Sequence, residues 1–352
     1  MRRIPAHHPA LAGDLPDLPA QLPQGVDARS REVTTPALHR EDRVARHSVL
    51  VGPATSQLKE TEVDPPGPGE VLIQVIANGL CASELPTWTR GPVEGVPRTL
   101  GHEPVGRVLE VGGGVGPIAI GNLVTGRWTA SFTELIVVPA EYAVVVPPGL
   151  GYEAGIGEPL GCVVEALRRA RVDTGDRVAV VGAGFMGLCL LQLLATSPIG
   201  ELVAIDVRAD AKCAALAYGA SSARDPEDMD QMTDAFDVVF EVSGTQGGLD
   251  LATALTRSGG TLDIVGYHQG TRTVDLQAWN WKALDVVNGH VRDQRQLTDS
   301  IRRGLDIAAG GRIDYASLFT HRYPLSDIDQ AYADLRAKPD GFVKALIVMN
   351  EQ

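Results

Sequence analysis

Hydrophobic positions along this chain change texture near residue 170. From Ser48 to about Leu150 they come as short β-branched runs, among them Val71-Leu72-Ile73-Gln74-Val75-Ile76 and Val144-Val145-Val146. The turn signals Pro65-Pro66-Gly67, Gly112-Gly113-Gly114 and Pro147-Pro148-Gly149 break them up. Branched side chains suit a pleated, half-buried surface and Gly/Pro clusters close tight turns, so this region predicts a small all-β barrel. After Asp173 the apolar runs Arg177 to Val181, Leu202 to Ile205, Phe236 to Val242 and Thr261 to Val265 alternate with helical periodicity. That alternation predicts a doubly wound parallel sheet. A last apolar run, Gly341 to Val348, predicts a strand that returns to the first domain. Residues 1 to 45 carry Pro5, Pro9, Pro16, Pro19, Pro23 and Pro36 without a sustained apolar period, which reads as an extended or partly disordered arm. The expected division is therefore 1–45 as an extension, 46–160 with 301–352 as the barrel domain, and 161–300 as the parallel-sheet domain.

Composition narrows the class of partner. A chain of 352 residues suits two cores of ordinary size, and 44% hydrophobic with 21% charged residues is typical of folded soluble proteins. The longest run without polar side chains, Val178 to Leu191, is interrupted by Gly182, Gly184 and Gly187 and is shorter than the roughly 20 residues of a membrane span. A net charge of −13 with no basic stripe speaks against nucleic acid, leaving a small molecule as the expected partner. Four cysteines, at 81, 162, 189 and 213, show no close spacing of the kind a disulfide framework uses. With Met1-Arg2-Arg3 followed by His7, Pro9 and Asp14 rather than an apolar segment, a cytoplasmic location is expected.

The strand Arg177 to Val181 runs into Gly182-Ala183-Gly184-Phe185-Met186-Gly187 and then the helical pattern Leu188 to Ala195. Strand, glycine turn and helix in that order are what a dinucleotide site needs, the plain alternative being a glycine-rich turn with an ordinary surface aspartate after it. Gly182 allows the tight turn, Gly184 the approach of the pyrophosphate and Gly187 close helix packing, while the helix N-terminus favours phosphate charge. The next strand ends at Asp206, an acidic residue suited to the ribose hydroxyls and repellent to a 2′-phosphate. NAD is thus expected ahead of NADP, with Arg208 keeping the second in play.

Three further clusters carry metal-ligand chemistry: Gly79-Leu80-Cys81-Ala82-Ser83-Glu84, Gly101-His102-Glu103 and Gly157-Glu158-Pro159-Leu160. A catalytic zinc needs three protein ligands of thiolate, imidazole or carboxylate type and one open position. Cys81, His102 and Glu158 supply one of each. Singly, each has a plain structural reading, as a buried small hydrophobe, a turn residue and a helix N-terminal carboxylate. Cys162, four positions after Glu158, is a rival third ligand at helical spacing.

The four motifs in this order resemble the zinc-dependent medium-chain dehydrogenases, nearest the sorbitol and threonine dehydrogenase branch. The resemblance covers about residue 46 to the end. It implies a GroES-like barrel joined to a Rossmann domain, the active site in the cleft between them, and a homo-oligomer, dimer or tetramer. It implies zinc on Cys81, His102 and Glu158, Glu103 beside it as an alternating ligand or supporting carboxylate, and Ser83 as the proton-relaying hydroxyl. It also sets Gly266-Tyr267-His268 near the nicotinamide and Arg292 where it would contact substrate or cofactor. The stretch from Gly112 to Phe132 lacks the four cysteines many relatives use for a structural zinc, so one zinc is expected. Pro86 and Thr87 stand where some relatives extend the relay with histidine, and Glu165 stands at a common histidine position. Trp88, Trp279 and Trp281 are candidates either for the pocket wall or for packing, and Glu84 and Arg292 are candidates for polar contacts to substrate. The expected reaction is hydride transfer between NAD and a secondary alcohol of a polyol, sugar, cyclitol or amino alcohol. The alternatives are a zinc-free reductase of the same fold and a catalytically silent dinucleotide-binding protein.

Overall fold

The change of texture along the sequence becomes two large sheets in the computed structural model, which describes residues 39–349. The N-terminal arm expected for residues 1–45 lies outside the described residues as far as residue 38. Beyond it, Arg40–Arg43 forms a 3-10 turn. The barrel side is built from β1 (Val44–Gly52), β2 (Thr55–Glu62), β3 (Glu70–Gly79), helix α1 (Leu85–Arg90), β4 (Pro104–Val111), β5 (Leu123–Thr125), β6 (Leu135–Pro139) and β7 (Val144–Val145). Helix α2 (Gly157–Ala170) leads to the second sheet, made of β8 (Arg177–Val181), α3 (Phe185–Ala195), β9 (Glu201–Ile205), α4 (Ala209–Ala217), β10 (Ser222–Arg224), β11 (Phe236–Glu241), α5 (Gln246–Leu255), β12 (Thr256–Ile264), α6 (Leu276–Lys282) and β13 (Asp285–Asn288). The chain then continues through α7 (Gln294–Ala309), β14 (Phe319–Pro324), α8 (Ile328–Ala337) and β15 (Lys344–Val348).

Strand β3 is the hub of the barrel, pairing antiparallel with β4, β6 and β15. Its successive side chains enter different clusters: Val71 and Ile73 pack with Val108, Val124 and Trp128, while Leu72 packs with Ala45 and Leu135. A strand covered on both faces reads as a nearly continuous apolar run, which is why 71–76 stood out. The last strand joins this sheet, as the Gly341 to Val348 run predicts.

The second sheet is parallel, in the order β10-β9-β8-β11-β12-β13. Strand order reverses beside β8, whose neighbours are β9 and β11. The carboxyl ends of β8 and β11 therefore flank a crevice of the kind in which open α/β sheets bind ligands.

Helices α2 and α7 pack closely between the sheets, and α7 runs through residue 301 without a break. Glycine makes the approach possible: a Cβ on Gly161 would lie 2.6 Å from Ile301 Cγ1 and 2.9 Å from its backbone nitrogen. Because backbone cannot move aside as a side chain can, Gly161→Ala is expected to destabilise the fold by about 1–3 kcal/mol. Urea unfolding followed by circular dichroism measures it. An unchanged midpoint would show that the helices separate without cost.

Candidate active site

The register of β3 against β4 brings the first two metal motifs together. Asn78 pairs with Pro104 and Ala77 with Val105, so the chain leaving β3 at Cys81 lies beside the chain entering β4 at His102 and Glu103. Asn78 ties the two ends: its Oδ1 accepts from the Glu103 amide at 3.1 Å and its Nδ2 donates to Ser131 Oγ at 2.6 Å. Gly79 leaves room for the Glu103 carboxylate, because a Cβ there would meet Glu103 Oε2 at 1.9 Å. One donor atom each from Cys81, His102 and Glu103 lies within 4.8 Å of the others.

Each member of this trio is held from behind. His102 Nδ1 is 3.2 Å from Glu84 Oε1, an oxygen that also accepts from the Gly101 amide at 2.8 Å; Glu84 Oε2 accepts from the Tyr332 hydroxyl at 2.8 Å. With Nδ1 donating to Glu84, the imidazole turns Nε2 toward the trio, a carboxylate–histidine arrangement common behind metal ligands. Glu103 pairs with the buried Lys344, whose ammonium donates to Oε1 at 2.9 Å and lies 2.7 Å from Oε2. Ser83 Oγ donates to Cys81 Sγ at 3.2 Å.

Glu158 stands on the first turn of α2, 7% exposed, and lines the same cavity without joining the trio. Cys162 Sγ donates to its Oε1 at 3.5 Å, so the helical spacing does bring these two together. Burial and the nearby Glu103 charge push the Glu158 carboxyl above its usual range. Burial opposes a charge on His102, yet Cys81 and Glu84 outweigh it and push the imidazole up to about 12. The cluster's sulfur, imidazole and carboxylate donors are of the types that hold a divalent cation such as zinc.

Across the cavity, of about 410 Å3, lies the glycine turn. Gly182 has φ +106°, and a Cβ on Gly187 would meet the Gly182 carbonyl oxygen at 2.0 Å, so both positions require glycine. Gly184, Phe185, Met186 and Gly187 line the cavity at the N-terminus of α3. Asp206 braces the turn from behind, Oδ2 accepting from the Ala183 amide at 2.8 Å and Oδ1 from the Arg208 amide at 2.9 Å. Gly266, Tyr267 and Arg292 also line the cavity.

A network not foreseen from the sequence fixes the 266–273 loop. Buried Glu241, the last residue of β11, accepts from the Ser243 and Gly244 amides with Oε1, and its Oε2 lies 2.7 Å from His268 Nε2. Arg272 Nε donates to His268 Nδ1 at 3.1 Å, so neutral His268 carries its proton on Nε2 and donates to Glu241. From this loop Gln269 Nε2 reaches the Ala82 carbonyl at 3.3 Å, between Cys81 and Ser83.

Comparison with known proteins agrees with this geometry. The alcohol dehydrogenase GroES-like domain matches residues 67–148. Sorbitol dehydrogenase of Gallus gallus is 26% identical over 320 residues, covering 78% of this chain and 89% of its own length. The 2-dehydro-3-deoxy-L-galactonate 5-dehydrogenase of Pseudoalteromonas atlantica is 25% identical, covering 86% and 98%. A Sinorhizobium meliloti dehydrogenase, described as zinc-binding and solved with NADP bound, superposes with a TM-score of 0.76 at 23% identity, covering 87% of this chain and 99% of its own. Over most of its length the chain is similar to members of the zinc-dependent medium-chain dehydrogenase family, and it carries that family's GroES-like domain. Its fold is the GroES-like barrel and Rossmann sheet of that family.

The remaining candidates lie outside the cavity lining. None of the three tryptophans lines the cavity: Trp88 is buried, stacked on Tyr332, with Nε1 donating to Asp329; Trp279 Nε1 donates to Thr253; and Trp281 is 81% exposed. Packing, the plainer reading, holds for the first two. Glu84 is bound to His102 and does not line the cavity. Pro86 and Thr87 lie in α1 and do not line the cavity. Glu165 is a structural clamp, accepting from Gln296 Nε2, Ser300 Oγ and Arg168 Nη1 between α2 and α7.

Proposed function

We propose that this protein transfers hydride between NAD and a secondary alcohol of polyol, sugar, cyclitol or amino alcohol type, using one zinc. The observation that carries this reading is that the Cys81–His102–Glu103 donors and the glycine turn open into one cavity. Cys81 and His102 would hold the metal, with Glu158 as third ligand and Glu103, already paired with Lys344, able to exchange with it. Bound there, zinc supplies Lewis acidity that lowers the pKa of an alcohol hydroxyl. Ser83, lining the cavity, is the hydroxyl that takes up the alcohol proton. The loop held by Glu241 and His268 carries Gly266 and Tyr267 to the cavity wall, where they would orient a nicotinamide for transfer. The names of the relatives, sorbitol and a deoxygalactonate derivative among them, support a polyhydroxylated substrate.

NADH formation across a panel of alcohols tests the proposal. Turnover abolished by a chelator and restored by zinc supports it. Turnover indifferent to chelation favours the zinc-free reductase instead, and cofactor binding without turnover on any alcohol favours the silent binding protein.

Asp206 is proposed as the residue that selects NAD, its carboxylate accepting from the ribose hydroxyls. Asp206→Ser should then raise kcat/KM with NADP relative to NAD by about 10-fold or more, since a like-charge opposition is removed. An unchanged ratio would assign the preference elsewhere.

A further inference from the structure

The cleft reverses the charge of the molecule. The chain carries a net −13, yet the cavity wall holds Arg127, Arg292, Lys338 and Lys344 against the carboxylates of Glu103 and Glu158. Three of these cations are accounted for. Lys344 pairs with Glu103. Arg127 spans the two sheets: its guanidinium donates to Gln294 Oε1 at 2.8 Å and to the carbonyls of Val291 and Arg292. Lys338 lies 4.0 Å from where a Cβ on Gly184 would be, beside the helix N-terminus suited to the cofactor pyrophosphate.

Of the four, Arg292 has no such role; among the described residues its guanidinium, like the Lys338 ammonium, stands without an ion pair, but Lys338 is set beside the glycine turn. Among the described residues its guanidinium has neither a hydrogen bond nor an ion pair, and the side chain is exposed toward the cavity it lines. Its backbone is nevertheless pinned, the carbonyl accepting from Arg127 and the nearby His290 Nε2 lying 3.2 Å from the Gly266 carbonyl. The adjacent acid, Asp293, is committed to capping α7, its Oδ1 accepting from the Gln296 amide at 2.8 Å. A guanidinium on a fixed backbone, in a cleft whose two carboxylates already have partners, lacks a counter-anion. Its planar fork of donors suits a carboxylate or a phosphate monoester.

We propose that the natural substrate is an alcohol bearing an anionic group, a sugar acid or a sugar phosphate, and that Arg292 grips that group. The proposal rests on the dehydrogenase reading of the site. The oxidised hydroxyl lies at the metal donors and the anion at the Arg292 wall. A basic cleft in an acidic protein also concentrates an anionic substrate, with a dependence on ionic strength that a neutral polyol lacks.

Matched sets test it: a polyol, the aldonate of the same carbon skeleton and the corresponding terminal phosphate, each assayed by NADH formation with the full-length protein and with Arg292→Gln and Arg292→Lys. The anionic member should exceed its neutral partner in kcat/KM by about 10- to 100-fold at low salt, and salt should shrink the ratio. Arg292→Gln should collapse it and Arg292→Lys restore part of it, while aldonate against phosphate identifies the anion. Preference for the neutral polyol would overturn the proposal. So would an Arg292→Gln variant whose KM rises for NAD while the anionic-to-neutral ratio stays put, which would place the guanidinium on the cofactor. Calorimetric titration of the same compounds into the NADH-bound protein separates this inference from the dehydrogenase reading. Binding of an anion lost in Arg292→Gln, without turnover, would sink the catalytic reading alone; absence of anion binding would sink the Arg292 subsite.

Discussion

His102→Ala is expected to lose bound zinc and to reduce kcat/KM by about 10^3-fold or more with every alcohol the wild type oxidises, because Lewis-acid stabilisation of the alkoxide is worth several kcal/mol. Elemental analysis of the purified variant and NADH formation measure the two losses, and circular dichroism checks that the barrel has folded. The carboxylate behind the histidine should act through it. Glu84 orients the imidazole and receives the Gly101 amide and the Tyr332 hydroxyl, so Glu84→Gln keeps the shape while weakening the hold on the ring. Metal affinity in that variant should fall about 10- to 100-fold, read by competition with a chromophoric chelator. Full zinc occupancy and activity in His102→Ala would remove the metal assignment altogether.

Asp263→Asn should make the fold more stable, and by an amount that grows with pH. Asp263 is fully buried on β12, and among the described residues neither carboxylate oxygen has a well-formed hydrogen bond; the neighbouring Gly289 amide donates to the Ile264 carbonyl at 2.9 Å. Burial pushes its pKa up to about 7, with Arg169 opposing. An acid whose pKa is higher folded than unfolded imposes no penalty below the unfolded value near 4, and destabilises progressively as pH rises toward and through 7. The advantage of the asparagine variant should therefore widen by about 3 kcal/mol between pH 4.5 and pH 8. Denaturant titrations at the two pH values measure it. A constant difference would mean that the carboxyl does not titrate in this range.

Much of this architecture is visible in residue patterns, and the exceptions share a cause. Arg177 to Val181 matches β8 because a strand buried on both faces needs an unbroken apolar run, and the glycine turn is visible because nothing larger fits at 182 and 187. Cys81 and His102 stand out through motif order. How Glu103 and Glu158 divide their roles depends on the register of β3 with β4 and on the angle of α2, which no local spacing encodes. Lys344 carried a signal that went unused: a lysine between Val343 and Ala345 in an otherwise apolar strand must find a buried acid. Glu241, ending the apolar run of β11, carried the same one. The tryptophans stay open between pocket wall and packing in the sequence because aromatic content says nothing about which surface a ring will meet.

The pairing of Lys344 with Glu103 also sets an order of assembly. These residues are 241 positions apart, and β15 can join β3 only after the intervening parallel sheet has been made. On the ribosome, the N-terminal part of the barrel emerges with Cys81, His102 and Glu103 long before the strand that supplies their balancing cation. Long-range pairing of this kind closes late, so this corner is completed only after the local hairpins of the barrel. A chain that stops short of β15 would leave Glu103 in that corner without the ammonium that balances it.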